Sequence, residues 1–124
     1  MTTSPLFFAQ ELSQGAVQVT VSGKLRGSSA RQLGEQLAEL VEQGVRRVVL
    51  DLSALTSLDS LATMVLEEAL DRGLRLHLVV RPAFEFDPYF HSRSLGPRGL
   101  KVHYSLEDAV ARVRKVVDSG MVLV

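Results

Sequence analysis

Apolar and polar positions along the chain follow two alternating periods. From Ala16 to Ser22, Val17, Val19 and Val21 fall on one face and Gln18, Thr20 and Ser22 on the other. That is the period-two pattern of a strand buried on one side. The stretch Leu74 to Val80 repeats it, with Leu74, Leu76, Leu78 and Val80 opposite Arg75 and His77. Between them, Ala30, Leu33, Leu37, Leu40 and Val41 recur at helical spacing behind Ser29 and Gln32, which read as a capping box, and Gly44 closes that helix. Arg47 to Asp51 reads as a short strand, and Leu61, Met64, Val65 and Ala69 form a second helical stripe running to Gly73. Pro82, Pro88 and Pro97 punctuate the next stretch, where Asp87-Pro88 predicts the start of a short helix. Ser105 with Asp108 caps a last helix whose stripe is Leu106, Ala109, Val110, Val113, Val116 and Val117. Arg112, Arg114 and Lys115 suit its C-terminal, electronegative end.

The resulting order is strand, strand, helix, strand, helix, strand, short helix, short strand, helix. It predicts an α/β fold with a mostly parallel sheet of about four or five strands, an initial edge strand or hairpin, and about four helices. Because the strands alternate in polarity, the helices are expected mainly on one face, leaving the other wetter. A single domain is expected over residues 7–117, with 1–6 and 118–124 as terminal extensions.

Composition narrows the function classes. At 124 residues with 46% apolar side chains, one core can bury roughly two thirds of the unfolded surface, so neither disulfide nor structural metal is needed. The absence of cysteine removes thiol nucleophiles, thiolate metal sites and iron–sulfur clusters. With 14 basic and 14 acidic side chains there is no net field to capture nucleic acid or an anionic membrane. No secretion signal and no apolar run of spanning length is present, so a cytoplasmic protein without membrane insertion is expected.

Candidate chemistry is sparse. Asp51 and Asp59 invite comparison with a catalytic carboxylate pair, but no third positioned group accompanies them. Asp51 is better read as satisfying backbone amides at a strand end and Asp59 as shaping a helix start. No catalytic residue is expected, and the chain is read as a non-enzyme. Gly23-Lys-Leu-Arg-Gly-Ser-Ser29 joins a strand to a helix, but Lys24 sits at the wrong end for a phosphate-binding loop. Its exposed Lys24, Arg26 and Arg31 suit contact with an acidic partner. His77, His91 and His103 share no metal-ligand spacing, so no metal or cofactor is expected. Phe84, Phe86, Tyr89 and Phe90 lie within seven residues; Phe90 is read as core, and two or more outward rings would make a patch for partner or self association.

The most specific stretch is Val48-Val-Leu-Asp-Leu-Ser-Ala-Leu-Thr-Ser-Leu-Asp-Ser60. It resembles the STAS family, the sulfate transporter and anti-sigma factor antagonist domains, in which a strand ending Asp-Leu-Ser runs through a short loop to Asp-Ser or Asp-Thr at the second helix. Asp51-Leu52-Ser53 and Asp59-Ser60 are the matching residues, and Ser105-Leu-Glu-Asp-Ala109 opens the last helix similarly, so the resemblance covers about Ala16 to Val117. One position departs. Antagonists continue Asp-Ser-Ser-Gly and are phosphorylated on the second serine, whereas this chain reads Asp59-Ser60-Leu61-Ala62. The stressosome scaffold subgroup is more similar, with an apolar residue after a phosphorylated Asp-Ser and an Arg-Pro after the next strand, here Arg81-Pro82.

The resemblance implies a bacterial partner-switching module with Ser60 as phosphoacceptor. Its docking surface would comprise Ser53, Thr56, Ser57, Asp59, Ser60, Leu61 and Thr63, with Lys24 and Arg26 alongside. A phosphate would add about −1.5 to −2 charges at a helix N-terminus, which tolerates them, and would act on the partner instead of the fold. Implied partners are a serine kinase, an anti-sigma-factor-like protein or other STAS proteins, with homo-oligomerisation open. Two alternatives stand beside it. One is an unphosphorylated scaffold or transporter-accessory STAS protein in which Ser60 only caps its helix. The other is a nucleotide- or metabolite-binding protein using the strand ends.

Overall fold

The computed structural model describes residues 7–13, 15–81 and 99–122. Phe7–Ser13 (β1) and Ala16–Leu25 (β2) pair as an antiparallel hairpin. There follow Ser28–Glu42 (α1), Arg47–Leu58 (β3), Ser60–Asp71 (α2), Arg75–Val79 (β4), Leu100–His103 (β5) and Leu106–Val122 (α3). The five strands lie side by side in sequence order, and every pairing after the first is parallel. This is the mostly parallel sheet with an edge hairpin that the alternation of elements predicts. Three helices occur among the described residues. The short helix expected at Asp87-Pro88 lies outside them, as do Phe84, Phe86, Tyr89, Phe90 and His91.

β3 is central and is buried from Val48 through Leu52. Its Val48, Leu50 and Leu52 join Val19, Val21, Leu76 and Leu78 beneath Leu33 and Leu37 of α1 and Leu66 of α2. On the opposite face Val49, Val79 and Ala16 lie beneath Ala109 and Val113 of α3. The face expected to be wetter is therefore covered by α3, because Val49 and Val79 supply an apolar strip that its small side chains fit. His77, expected to face solvent, is consequently only 7% exposed.

Three local expectations change. Ser29 and Gln32 form no capping box: α1 starts two residues earlier, with Gly27 as its N-cap, and the Ser29 hydroxyl turns back to donate to the Lys24 and Arg26 carbonyls. β3 runs to Leu58 and does not stop at Asp51. Its buried Leu52 and Leu55 are three residues apart because the β2–β3 register shifts once between them, where Thr20 and Ser22 pair with Asp51 and Ala54; a second shift, between Gly23 and Lys24, follows Leu55. Those shifts break the period-two signal in the sequence. Finally, the α2 stripe is rotated: Ala62, Val65, Leu66, Ala69 and Leu70 are buried, Leu61 is partly buried, and Met64 is 54% exposed. A Cβ on Gly34 of α1 would sit 3.2 Å from both Val65 methyls. The missing side chain lets α2 turn its Val65 face into α1, and Met64 is left outside.

Candidate functional site

The site is built where two strands outrun their neighbour. β3 pairs with β4 only as far as Asp51 opposite Val79, whereas the β2–β3 ladder continues to Leu25 opposite Leu58. This two-stranded extension carries the starts of both α1 and α2. At its tip the chain leaves Leu25 through Arg26 into Gly27, whose φ of 55° is a left-handed value that glycine adopts without strain.

Gly27 has no side chain with which to cap α1. Its own N–H donates to Asp59 Oδ2 at 3.0 Å, while Asp59 Oδ1 accepts from the Ala62 N–H at 3.0 Å and caps α2. The Asp59 N–H donates in turn to the Leu25 carbonyl at 3.3 Å. One carboxylate thereby caps its own helix and holds the corner at which the other begins. Burial pushes the Asp59 carboxyl up, but the Gly27 and Ala62 amides and the Arg26 charge outweigh it and hold it below the ordinary value of 3.8. It is ionised at neutral pH.

Ser60, the first residue of α2, is exposed at this tip beside the clamp. Arg26 is exposed and acts on Asp59, and Lys24 and Thr56 are exposed on the ribbon, where the Thr56 hydroxyl donates to the Gly23 carbonyl at 3.0 Å. Ser57 is half-buried, and its hydroxyl oxygen has no hydrogen-bond partner among the described residues. Ser53 is half-buried farther back, its hydroxyl donating to Asp51 Oδ1 at 2.7 Å. Thr63 does not share the surface. It is 7% exposed and its hydroxyl donates to the Ser60 carbonyl at 2.7 Å. Thus Arg26 and Gly27 meet Asp59 beside Ser60 and the partly buried Leu61, while Lys24, Thr56 and Ser57 lie on the β2–β3 ribbon that leads to them.

Asp51 and Asp59 are not a pair. Seven residues of extended strand lie between them, a span on the order of 25 Å, and Asp51 is occupied by the Ser53 N–H and hydroxyl. Among the described residues no cluster of acidic or imidazole groups is arranged to hold a metal ion. Among the described residues, grooves lie between β5 and α3 and around Gly15, Gly44 and Gly73 at the other end of the sheet. None is lined by Asp51, Asp59 or Ser60.

Two residues of this region were not legible as site residues. Met64 follows Ser60 by four positions, which places it on the same side of α2 one turn along. That spacing was the available signal, but an apolar residue beside Val65 reads as core. Arg81, just past β4, donates from Nη2 to the Leu55 carbonyl at 2.8 Å and ties the end of β4 to the extended part of β3.

A family model described as Mlab, STAS domain matches residues 8–84, more than half of the chain. The chain belongs to the STAS family. No curated protein matches this STAS domain. Its fold is that of the anti-sigma factor antagonist SpoIIAA: the unphosphorylated form shares 18% identity at a TM-score of 0.66, covering 87% of this chain and 97% of that one. The phosphorylated form of SpoIIAA, the Bacillus cell fate determinant, is similar at 17% identity and a TM-score of 0.64, covering 86% and 98%. An anti-sigma factor antagonist from Mycobacterium paratuberculosis is 23% identical at a TM-score of 0.64, covering 87% and 92%. The Asp59-Ser60 step of this STAS domain stands at the start of α2, on the rim formed by the carboxyl ends of β2 and β3. Among the described residues no helix is long and apolar enough to cross a membrane.

Proposed function

We propose that this STAS domain is a non-enzymatic partner-docking module of the bacterial cytoplasm, switched by phosphorylation of Ser60. Residues 7–117 form the functional unit. The observation that carries the reading is the exposed Ser60 next to a doubly bonded Asp59, with Arg26 beside that carboxylate and exposed Met64 one turn later. A partner covering this rim buries Met64 and Leu61 against its own apolar surface. A serine kinase, an anti-sigma-factor-like protein or another STAS domain offers the required match, and the kinase also modifies the site.

A phosphate on Ser60 meets two opposing influences. The helix N-terminus and Arg26 favour it, while the Asp59 carboxylate already holds the Ala62 amide and repels it. The balance leaves the fold intact and places a dianion in the middle of the docking surface, which a partner must desolvate or repel. Likeness to SpoIIAA, whose phosphorylated form has been solved, supports a switch of this type.

A second reading is favoured by Leu61. Antagonists of the family carry a second serine there, and this leucine packs against the core. The domain is then a scaffold or transporter-accessory subunit whose docking is constitutive. Phosphopeptide mapping of the chain isolated from its own cells separates the two. Cleavage after Arg47 and Arg72 gives one peptide holding Ser53, Thr56, Ser57, Ser60 and Thr63, so fragment ions assign the phosphate directly. Phosphate on Ser60 is expected. Its absence under every growth condition, or its placement only on Thr56 or Ser57, contradicts the switch and leaves the scaffold.

A further inference from the structure

His77 and His103 sit on adjacent parallel strands, two residues out of register and so on the same face of the sheet, and their rings meet beneath α3. His77 lies opposite Val49 of β3 and Lys101 of β5, and His103 lies opposite Val79. His77 Nδ1 and His103 Nε2 are 3.1 Å apart, and the rings stack with centroids 5.3 Å apart and planes inclined by 24°. A contact of this length needs one ring to donate and the other to accept, so it holds a single bridging proton. When both rings are protonated, two N–H groups and two positive charges face each other across it.

The surroundings oppose that charge. Lys101 on β5, Arg112 on α3 and Arg47 on β3 act on His77, with Arg75 two positions before it on β4. Asp108 on α3 favours a proton on His103, and Asp51 on β3 is engaged by Ser53. Burial, together with His103, Lys101, Arg112 and Arg47, lowers His77 to about 4, and burial and Arg112 also lower His103. His77 is enclosed, but His103 lines the open groove between β5 and α3 with Lys101, Asp108 and Arg112, so solvent protons reach the pair through His103.

α3 covers the His77–His103 face alone among the described helices. Its described contacts are the fully buried Ala109 and Val113 and the partly buried Leu106 and Val110, set against Ala16, Val49, Val79 and Leu12. α1 and α2 share the larger cluster on the other face. We infer that the His77–His103 pair is an acid-sensitive latch: while the rings share one proton α3 stays seated, and when both are charged α3 lifts from the sheet ahead of the rest of the fold. The strip so uncovered, Ala16, Val49 and Val79, is apolar.

Amide hydrogen exchange on the full chain at roughly pH 7.5 and about pH 4.5, corrected for intrinsic rates, tests this. In the wild type, α3 amides are expected to lose protection by about tenfold or more while α1 and α2 amides keep theirs. His77→Phe fills the same space without a titrating ring and is expected to keep α3 protected at both values. His103→Asn retains a hydrogen-bonding group opposite His77 and leaves one ring to titrate, so the loss moves to lower pH. The latch is overturned if wild-type α3 stays protected, if all helices open together, or if either variant releases α3 at the wild-type pH.

Discussion

Asp59 accepts the Gly27 N–H across 32 residues of chain at 3.0 Å, and this bond joins the first turns of two helices that the sheet alone would leave independent. Because the other carboxylate oxygen caps α2, the two helix starts and the β2–β3 extension move as one body. A docking surface benefits from that rigidity, since less conformational freedom is lost when a partner binds.

Replacing Asp59 tests the clamp. Asp59→Ala removes two hydrogen bonds to helix-start amides and is expected to cost about 1–2 kcal/mol, whereas Asp59→Asn keeps an acceptor and costs less. Urea denaturation gives both values. The folded-state pKa lies below 3.8, so the contribution is present above that value and is lost as pH falls through the lower folded value.

Substitutions at Ser60 are expected to leave the fold almost untouched. Ser60→Ala and Ser60→Asp should each change stability by no more than about 0.5 kcal/mol, because Asp59 and not Ser60 supplies the cap. Thermal unfolding checks this, and a much larger loss would show that Ser60 carries structural work here unassigned to it.

Stability also depends on pH through His77. Its folded pKa is lowered from 6.5 to about 4 by burial first and neighbouring cations second, so the unfolded chain takes up the proton more readily. Stability is full above 6.5, declines as pH falls from 6.5 towards 4, and levels off below, with a slope of up to about tenfold in the folding constant per pH unit. Urea midpoints measured across that window should fall in the wild type and fall less in His77→Phe.

The contact between Gly34 and Val65 predicts the effect of a larger side chain. Gly34→Leu drives atoms into the Val65 methyls, which lie 3.2 Å from a Cβ at that position, and should cost about 1–3 kcal/mol. Gly34→Ala gains helix propensity against a small shift of Val65 and should stay within about 1 kcal/mol of the wild type. Chemical denaturation distinguishes these outcomes.

Much of this arrangement was legible in the chain. The order of elements follows from two hydrophobic periods, and Asp59-Ser60 reads as a strand-to-helix step, where the structure starts α2. Local patterns failed where long-range contacts decide. Leu52 and Leu55 fall out of strand phase because a register shift with β2 intervenes, and a second follows Leu55, so the end of β3 reads as loop. Met64 reads as core because only the approach of Gly34 to Val65 selects which apolar side of α2 faces inward. His77 and His103 are 26 residues apart, and nothing in their spacing reveals that adjacent strands bring their rings together.

The central claim, that charge at Ser60 controls partner docking, is tested most directly by presenting wild-type, Ser60→Ala and Ser60→Asp chains as parallel baits to a lysate of the source organism. Retained proteins are identified and quantified by mass spectrometry. The account predicts that a kinase or regulatory protein binds wild type and Ser60→Ala comparably and binds Ser60→Asp at least about tenfold less, equivalent to about 1.4 kcal/mol. Equal retention by all three baits would contradict it and leave Ser60 as no more than the first residue of α2.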